Sequence, residues 1–352
     1  MRKFLLSLAA FALLVFGIDR ALGRALRWMY ESPGGAEVDD LGTGARRHPQ
    51  IAISGSSRAR NHYVADSLEQ YLGKRVHTFG RGGQFSSLYQ YSVAQLVLTE
   101  STPDVWVIEA DARLYRGSDS DKLAELLPYA TRNAAIREAV TTRSRFERVK
   151  FWSRAYPYNS LALNLVKERL RPTWAVPRNG FHALRGRINP RERVDSLETA
   201  EFFPPVDSVK LEYLHGLVDS LRSRGVRVLA VRSPFYAGDT KTRALLQREG
   251  RELAAVFASM AVPFIDVSGE RYPEFASSEV YANRRHLNEQ GALRFSRIIA
   301  DSITQLLARP APARPLGAPC IVVAGSPRAA PGISSAGVMA QASSVVPAGH
   351  GC

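Results

Sequence analysis

Short apolar runs alternate with longer helical patterns from residue 51 to residue 307, and this alternation constrains the fold more than any other feature. Apolar runs stopped by glycine or proline are typical of buried strands, and apolar residues at three- and four-residue spacing predict amphipathic helices. The predicted strands cover 51–54, 76–79, 105–110, 226–231 and 263–267, and the predicted helices cover 58–72, 85–98, 206–224, 240–260 and 289–307. Because strands joined through helices pair in parallel, the sequence predicts a three-layer α/β/α, flavodoxin-like domain with a parallel sheet of about five strands.

The predicted α/β domain occupies residues 50–308, and its middle part, about 115–205, is arginine-rich and carries helical patches without strand patterns. We interpret that part as a helical insertion. Glycine, aspartate and arginine over 31–49 predict a linker, and the Ala, Pro, Gly and Ser composition of 309–352 predicts a disordered tail. The only two cysteines, Cys320 and Cys352, lie in that tail, so the predicted domain has neither a disulfide framework nor a cysteine metal site.

The N-terminus begins with Arg2 and Lys3, followed by an uncharged apolar run over 4–18. A charged segment before an apolar run is typical of a signal sequence, and no convincing small-residue cleavage site follows it. We therefore predict an uncleaved signal anchor over 1–30, with a cleaved signal peptide as the alternative. Basic residues at the extreme terminus favour a bacterial inner-membrane protein with one span, its N-terminus inside and its body outside the cytoplasm, in the periplasm.

The chain is strongly basic, with a formal net charge of +14 at pH 7. Such a surplus suits a nucleic acid, an anionic membrane surface or an acidic substrate, but it also arises on an ordinary solvated surface. Zinc-finger spacing, an aromatic RNA-binding signature and a basic region leading into heptads are all missing from the sequence. The sequence therefore predicts no nucleic-acid partner, and an acidic ligand or a lipid headgroup remains open.

Residues able to carry chemistry follow four of the predicted strands, at the edge of the sheet where ligands bind in parallel α/β domains. Gly55-Ser-Ser57 follows the first strand and opens a helix, and a glycine-rich turn ending at Gly83 follows the second. Asp111 follows the third strand, and His286 lies on a loop after the last one. Each of these has an ordinary structural explanation by itself, but together they predict a serine nucleophile with a histidine base.

These four elements, in this order and at these strand ends, resemble the SGNH/GDSL hydrolase superfamily. The resemblance covers about 50–307 without the middle region, and it is closest to the membrane-anchored bacterial branch of D-alanyl transfer protein-like and exopolysaccharide acyl-modifying proteins. It implies that Ser57 is the nucleophile, that His286 is the general base, and that the N–H groups of Ser57 and Gly83 hold the oxyanion. Asp111 falls where the family usually has an asparagine that donates to the oxyanion.

Two positions depart from the family pattern. The acid that usually stands three residues before the histidine is Asn283 here, and an amide orients an imidazole without stabilising its charged form. Asp266 or Glu279 is a candidate to replace that acid. A carboxylate at Asp111 cannot donate to an oxyanion unless it is protonated. Both departures predict a weakened or altered catalyst.

The expected function is that of a serine esterase or O-acyltransferase acting on a cell-envelope polysaccharide or a related glycan, with no cofactor and no metal. An acyl donor and a membrane acyltransferase are the expected partners. Arg58, Arg284 and Arg285 lie beside the predicted site and would bind an anionic polymer or a lipid phosphate, unless they are only solvated loop charges. The alternatives are a catalytically inactive SGNH-fold scaffold or glycan-binding envelope protein, and a nucleic-acid or lipid-binding protein that uses the basic insertion.

Overall fold

The sheet at the centre of the protein contains five parallel strands. The computed structural model describes residues 1–32, 40–117, 123–170, 178–189, 203–268 and 271–310, all of them within one compact unit, Met1–Leu316. The strands are β1 (Ile51–Ser54), β2 (Val76–Thr78), β3 (Val105–Glu109), β4 (Arg227–Arg232) and β5 (Phe264–Asp266), and their order is β2-β1-β3-β4-β5. The predicted α/β fold with a parallel five-stranded sheet is therefore confirmed, and each strand lies within two residues of its predicted bounds.

Helices cover both faces of this sheet. In chain order they are α1 (Arg2–Glu31), α2 (Asp40–Arg46), α3 (Ser57–His62), α4 (Ala65–Leu72), α5 (Ser87–Glu100), α6 (Leu127–Ala130), α7 (Ala134–Thr141), α8 (Arg145–Lys150), α9 (Ala162–Leu170), α10 (Ser208–Ser223), α11 (Thr240–Ser259) and α12 (Glu289–Ala308). A short antiparallel hairpin, β6 (Tyr281–Asn283) and β7 (His286–Leu287), precedes α12.

Successive side chains of a strand point to opposite faces, and this alternation divides the core into two clusters. Ile51 and Ile53 pack with Leu68 of α4 and Phe295 of α12 on one face. Ala52, between them, belongs to the cluster on the other face, which is built mainly from α5, α10 and α11. The sheet edge that follows β1 and β3 therefore lies between two well-packed layers.

Helix α2 lies within the segment predicted to be a linker, and that part of the prediction is wrong. Leu41 and Ala45 of α2 are buried in the core. The helix also packs tightly, since a Cβ at Gly44 would lie 2.2 Å from Nε2 of His77. Glycine in this segment therefore permits close helix packing rather than a loose chain.

The predicted helix over 58–72 is two helices, α3 and α4, separated by Tyr63 and Val64. Both residues adopt extended backbone angles. The break turns the Tyr63 side chain inward, where its hydroxyl donates a hydrogen bond to Glu109 at 2.5 Å. A buried long-range contact of this kind outweighs the local helical propensity.

The described part of the insertion between β3 and β4 consists of short helices and loops, without a strand of the central sheet, as predicted, and it contacts the N-terminal helix. The last turns of α1 bury Leu26 and Tyr30 against Tyr158, Leu161 and Leu165. The first part of α1 exposes its apolar side chains. Helix α1 is long and apolar enough to cross a membrane, a criterion that signal sequences also satisfy. The predicted tail, apart from residues 309 and 310, lies outside the described residues.

Candidate active site

Ser57 is the first residue of α3, directly after the turn that follows β1. The turn depends on Gly55, whose φ is +154°, because a Cβ there would lie 2.5 Å from Cβ of Glu109. Ser56 occupies the N-cap position, although its side chain makes no capping hydrogen bond. Ser57, rather than Ser56, therefore lies at the edge of the sheet that follows the carboxyl ends of the strands.

His286 reaches Ser57 from the hairpin that precedes α12. Its Nε2 lies 2.7 Å from Oγ of Ser57, and its Nδ1 lies 2.9 Å from Oδ1 of Asn283. Hydroxyl, imidazole and amide thus form one chain of hydrogen bonds, with the spacing that a serine nucleophile and its base require.

The hydrogen bonds also fix the tautomer of His286. The backbone N–H of Arg285 donates to the same Oδ1 of Asn283 at 3.0 Å, which identifies this atom as the amide oxygen. An oxygen only accepts, so Nδ1 of His286 carries the proton and Nε2 does not. The Ser57 hydroxyl therefore donates to Nε2, which is the arrangement in which His286 takes up the serine proton.

The environment keeps His286 neutral. Burial, followed by the positive charges of Arg58 and Arg285, lowers its pKa from 6.5 to about 4. A carboxylate would oppose this shift, but the group at Nδ1 is an uncharged amide. The imidazole is consequently ready to accept a proton at neutral pH, whereas the imidazolium formed after transfer lacks a stabilising negative charge.

A cavity of about 360 Å³ opens over Ser57 and His286. Phe85 and Phe235 supply its apolar side, and arginines and carboxylates supply the rest. Its lining residues are Ser57, Arg58, Phe85, Asp111, Arg113, Phe235, Glu249, Arg285 and His286. The structure thus brings two of the three predicted substrate-binding arginines, Arg58 and Arg285, to the site.

Asp111 lies between two arginines in this cavity. Nη2 of Arg58 is 2.7 Å from Oδ2 of Asp111, and Nε of Arg113 is 3.0 Å from its Oδ1. Burial alone would raise the pKa of Asp111, but Arg113 and Arg58 outweigh it and hold the pKa well below its ordinary range. Asp111 is therefore an ionised acceptor and cannot donate a hydrogen bond to an oxyanion.

A second buried carboxylate, that of Glu109, forms an ion pair with Arg58 on the side away from Asp111. Nε of Arg58 lies 3.3 Å from Glu109 Oε1, and Ser233 donates to the same oxygen at 2.6 Å. Burial raises the pKa of Glu109, while Arg58 and its hydrogen bonds act in the opposite direction. The Arg58 side chain is only 6% exposed, so it is chiefly a fixed element of the site floor.

Three predicted residues lie away from the cavity. Arg284 pairs with Asp239 at 3.1 Å, and this ion pair links the β6–β7 hairpin to the start of α11. Asp266 pairs with Arg232 at 3.0 Å, and Glu279 is exposed, 3.9 Å from Arg187. Since Asn283 occupies the position next to Nδ1 of His286, neither carboxylate replaces the expected acid, and that prediction is wrong.

Gly83 follows β2 in a turn with φ +78°, a left-handed conformation that favours glycine. Gly83 does not line the cavity. Phe85, two residues further along the same loop, does. Over the described part of the chain, no group of three His, Cys, Asp or Glu side chains is placed to hold a metal ion.

His62 is a site residue that the sequence did not reveal. It is fully buried, and its ring centroid lies 6.0 Å from that of His286 in an edge-to-face arrangement. Its Nε2 accepts a hydrogen bond from the backbone N–H of Leu287 at 3.0 Å. This bond holds β7 at the residue that directly follows His286. Burial, and after it the charges of His286 and Arg58, keeps the pKa of His62 well below its ordinary value, so His62 stays neutral.

Arg113 is a second residue of the site that the sequence did not reveal. Its guanidinium stacks 3.4 Å from the centre of the Phe85 ring.

No protein-family model and no curated protein matches the sequence. Among solved structures, the chain is similar to a proposed acylhydrolase from Bacteroides fragilis NCTC 9343. The two are 12% identical, the match covers 73% of this chain and 87% of the other, and the TM-score is 0.33. The likeness is too distant to carry a functional argument.

Proposed function

We propose that this protein is an SGNH-type serine esterase or O-acyltransferase, with Ser57 as nucleophile and His286 as general base. One observation carries the proposal: the 2.7 Å hydrogen bond between Ser57 and His286, in the tautomer fixed by Asn283. The setting at the carboxyl edge of a parallel sheet, beside a cavity, supports it further.

The proposed reaction has two halves. His286 removes the proton of Ser57 as Oγ attacks an ester carbonyl, and the tetrahedral oxyanion accepts a hydrogen bond from the backbone N–H of Ser57. The N–H of Gly83, which lies outside the cavity lining, would join it only after a movement of the loop that follows β2. His286 then gives the proton to the departing alcohol, which leaves an acyl-serine. In the second half, water or a sugar hydroxyl loses its proton to His286 and takes the acyl group from Ser57.

A cell-envelope glycan is the proposed substrate. The cavity of about 360 Å³ suits a small acyl group rather than a long chain. Arg285 is exposed at its rim and provides a contact for an anionic glycan. The exposed apolar part of α1 supports a membrane anchor. Arg2 and Lys3 at the terminus favour a bacterial inner-membrane anchor with the body outside the cytoplasm, where such glycans are found, and a membrane acyltransferase partner would deliver the acyl group.

The alternative function is a catalytically inactive scaffold or glycan-binding protein of the envelope. Asn283 favours it, because an amide leaves the imidazolium of His286 without a negative partner. The intact hydrogen bond from Ser57 favours the enzyme, because a scaffold has no need of a serine hydroxyl held at 2.7 Å from an unprotonated imidazole nitrogen.

The test is active-site labelling of the full chain, purified in a nonionic detergent. A fluorophosphonate probe should label the wild type, and p-nitrophenyl acetate should be hydrolysed, whereas Ser57→Ala should lose both reactions. Ser56→Ala is the matched control, because Ser56 Oγ is buried and has no hydrogen-bond partner in the described structure. Unlabelled wild type, or equal labelling of Ser57→Ala, would refute the enzyme and leave the scaffold.

A further inference from the structure

A second cavity lies between α1 and the insertion, apart from the candidate active site. Its volume is about 1230 Å³, and seven arginines but no acidic residue line it. Aromatic side chains, including Phe16 and Trp152, contribute to the same wall. A concave surface with this many guanidinium groups attracts anions, and phosphates above all, since arginine binds phosphate oxygens with two parallel hydrogen bonds.

The cavity lies at the end of the uncharged part of α1. Arg20, the first arginine after that part, stacks 4.3 Å from the centre of the Phe16 ring and donates to the carbonyl oxygen of Trp152 at 3.0 Å. Asp19 accepts the backbone N–H of Arg154 at 2.8 Å. The insertion is therefore fixed to α1 at the level where a membrane-spanning helix would leave the hydrocarbon.

Large apolar side chains are exposed next to this level. Phe146 and Val149 of α8 are 64% and 59% exposed, and Trp152, in the turn after α8, is 79% exposed. Tryptophan and phenylalanine beside arginine are typical of surfaces that lie in the interfacial zone of a membrane. Their exposure is costly in water and is relieved where headgroups meet acyl chains.

Several cavity arginines have no partner that would neutralise them. Among the described residues, Arg24 and Arg154 make no side-chain hydrogen bond or ion pair. Arg27 and Arg132 share a single carboxylate, that of Glu31. Arg20 pairs with Asp19 at 3.5 Å. The cavity consequently keeps more arginines than the carboxylates that pair with them in the described structure.

We propose that this cavity binds the headgroups of anionic phospholipids in the leaflet next to it. The inference rests on the proposed membrane anchor. Phosphodiester oxygens accept from the arginines, while Trp152 and its neighbours reach the upper part of the acyl chains. Each arginine close to an anionic lipid surface raises the partition of the protein onto that surface about fivefold. The cavity arginines that lack a carboxylate partner, Arg24 and Arg154 among them, would thus enrich anionic lipids around the protein.

The test reconstitutes the full chain in phosphatidylcholine vesicles that carry either dibrominated phosphatidylglycerol or, at the same fraction, dibrominated phosphatidylcholine. Bromine quenches tryptophan fluorescence at short range, so the quenching that disappears in Trp152→Phe reports the lipids beside the cavity. We expect this quenching to be about twofold or more stronger with the anionic lipid, and to equalise in high salt because salt screens surface charge.

Two triple variants sharpen the test. The cavity variant changes three arginines to glutamine: Arg24, Arg148 and Arg154. The matched control makes the same change at three exposed arginines elsewhere: Arg243, Arg251 and Arg294. The preference for anionic lipid should vanish in the cavity variant and persist in the control.

Other results would overturn the proposal in distinguishable ways. Equal quenching by both lipids in the wild type, or loss of preference in both triple variants, excludes a lipid site at the cavity. Loss of preference on adding inorganic phosphate to the buffer assigns the cavity to a soluble phosphate instead. Wild-type protein that does not float with the vesicles refutes the anchor itself, whereas the labelling of Ser57 would be unaffected.

Discussion

Replacing Asn283 by aspartate should strengthen the candidate catalyst, because it puts a negative charge beside the imidazole that lacks one. Oδ1 of Asn283 already lies 2.9 Å from Nδ1 of His286, so the carboxylate needs no rearrangement to accept the same hydrogen bond. Two charges about 4 Å apart attract by roughly 1 kcal/mol in water and about 4 kcal/mol near a protein surface. Since Asn283 is exposed, about 2 kcal/mol is a reasonable middle value.

That interaction corresponds to roughly 1.5 pKa units. The pKa of His286, now about 4, should therefore rise, and the acid limb of kcat/KM should move upward with it. The active form is the unprotonated imidazole, so the wild type should keep its activity down to about pH 4, and Asn283→Asp should lose activity at a higher pH. At pH 7 both have an unprotonated base, and the variant should be about 10- to 30-fold faster because its transition state contains an imidazolium.

The assay is hydrolysis of p-nitrophenyl acetate by the full chain between pH 4 and pH 8, with urea unfolding as a check on the fold. Asn283→Ala is the control, since it removes the acceptor without adding charge and should lower kcat/KM. If Asn283→Asp folds normally but neither accelerates the reaction nor moves the acid limb, the assignment of His286 as the base is wrong.

Three further predictions concern stability. Arg58→Gln should lower the free energy of unfolding, measured with urea, by about 3–5 kcal/mol, because it leaves the buried Asp111 and Glu109 carboxylates without their shared cation. Gly80→Ala should cost about 1–3 kcal/mol and lower the Tm, since its Cβ would lie 2.2 Å from the backbone nitrogen of Arg60; Gly82→Ala, with nothing within 4 Å, should not. Burial lowers the pKa of His77 to about 3, so the unfolded chain takes up its proton first as the pH falls below 6.5. Between pH 6.5 and pH 5 the wild type should lose about 2 kcal/mol more unfolding free energy than His77→Leu.

The fold follows from the sequence because hydrophobic periodicity reports directly which face of each element is buried. Helix α12 illustrates this, since it was predicted over 289–307 and observed over Glu289–Ala308. Helix α2 was missed because Gly42 and Gly44 lower helical propensity, and the close approach of Gly44 to His77 is visible only in the folded chain.

The candidate site divides in the same way. Ser57 and His286 could be located because they follow strands at one edge of a parallel sheet and because the sequence around them resembles the SGNH/GDSL motifs. The pairing of Arg58 with Asp111 could not be predicted, because 53 residues separate them and no local sequence pattern indicates an ion pair. The role of His62 could not be predicted either, because it depends on a single hydrogen bond to a hairpin 225 residues away. The chemical roles of these residues remain predictions.

The contact between α1 and the insertion determines how the candidate site could move. A Cβ at Gly23 would lie 2.5 Å from the backbone carbon of Arg154, so the two backbones are in direct contact. Enzymes held by a flexible tether search a wide volume, and tether length sets the effective concentration of their substrates. If α1 is the proposed membrane anchor, the domain instead stays at one height above the bilayer. Its substrates would then have to diffuse laterally to meet it, and only acyl positions within a thin layer above the bilayer would be reached.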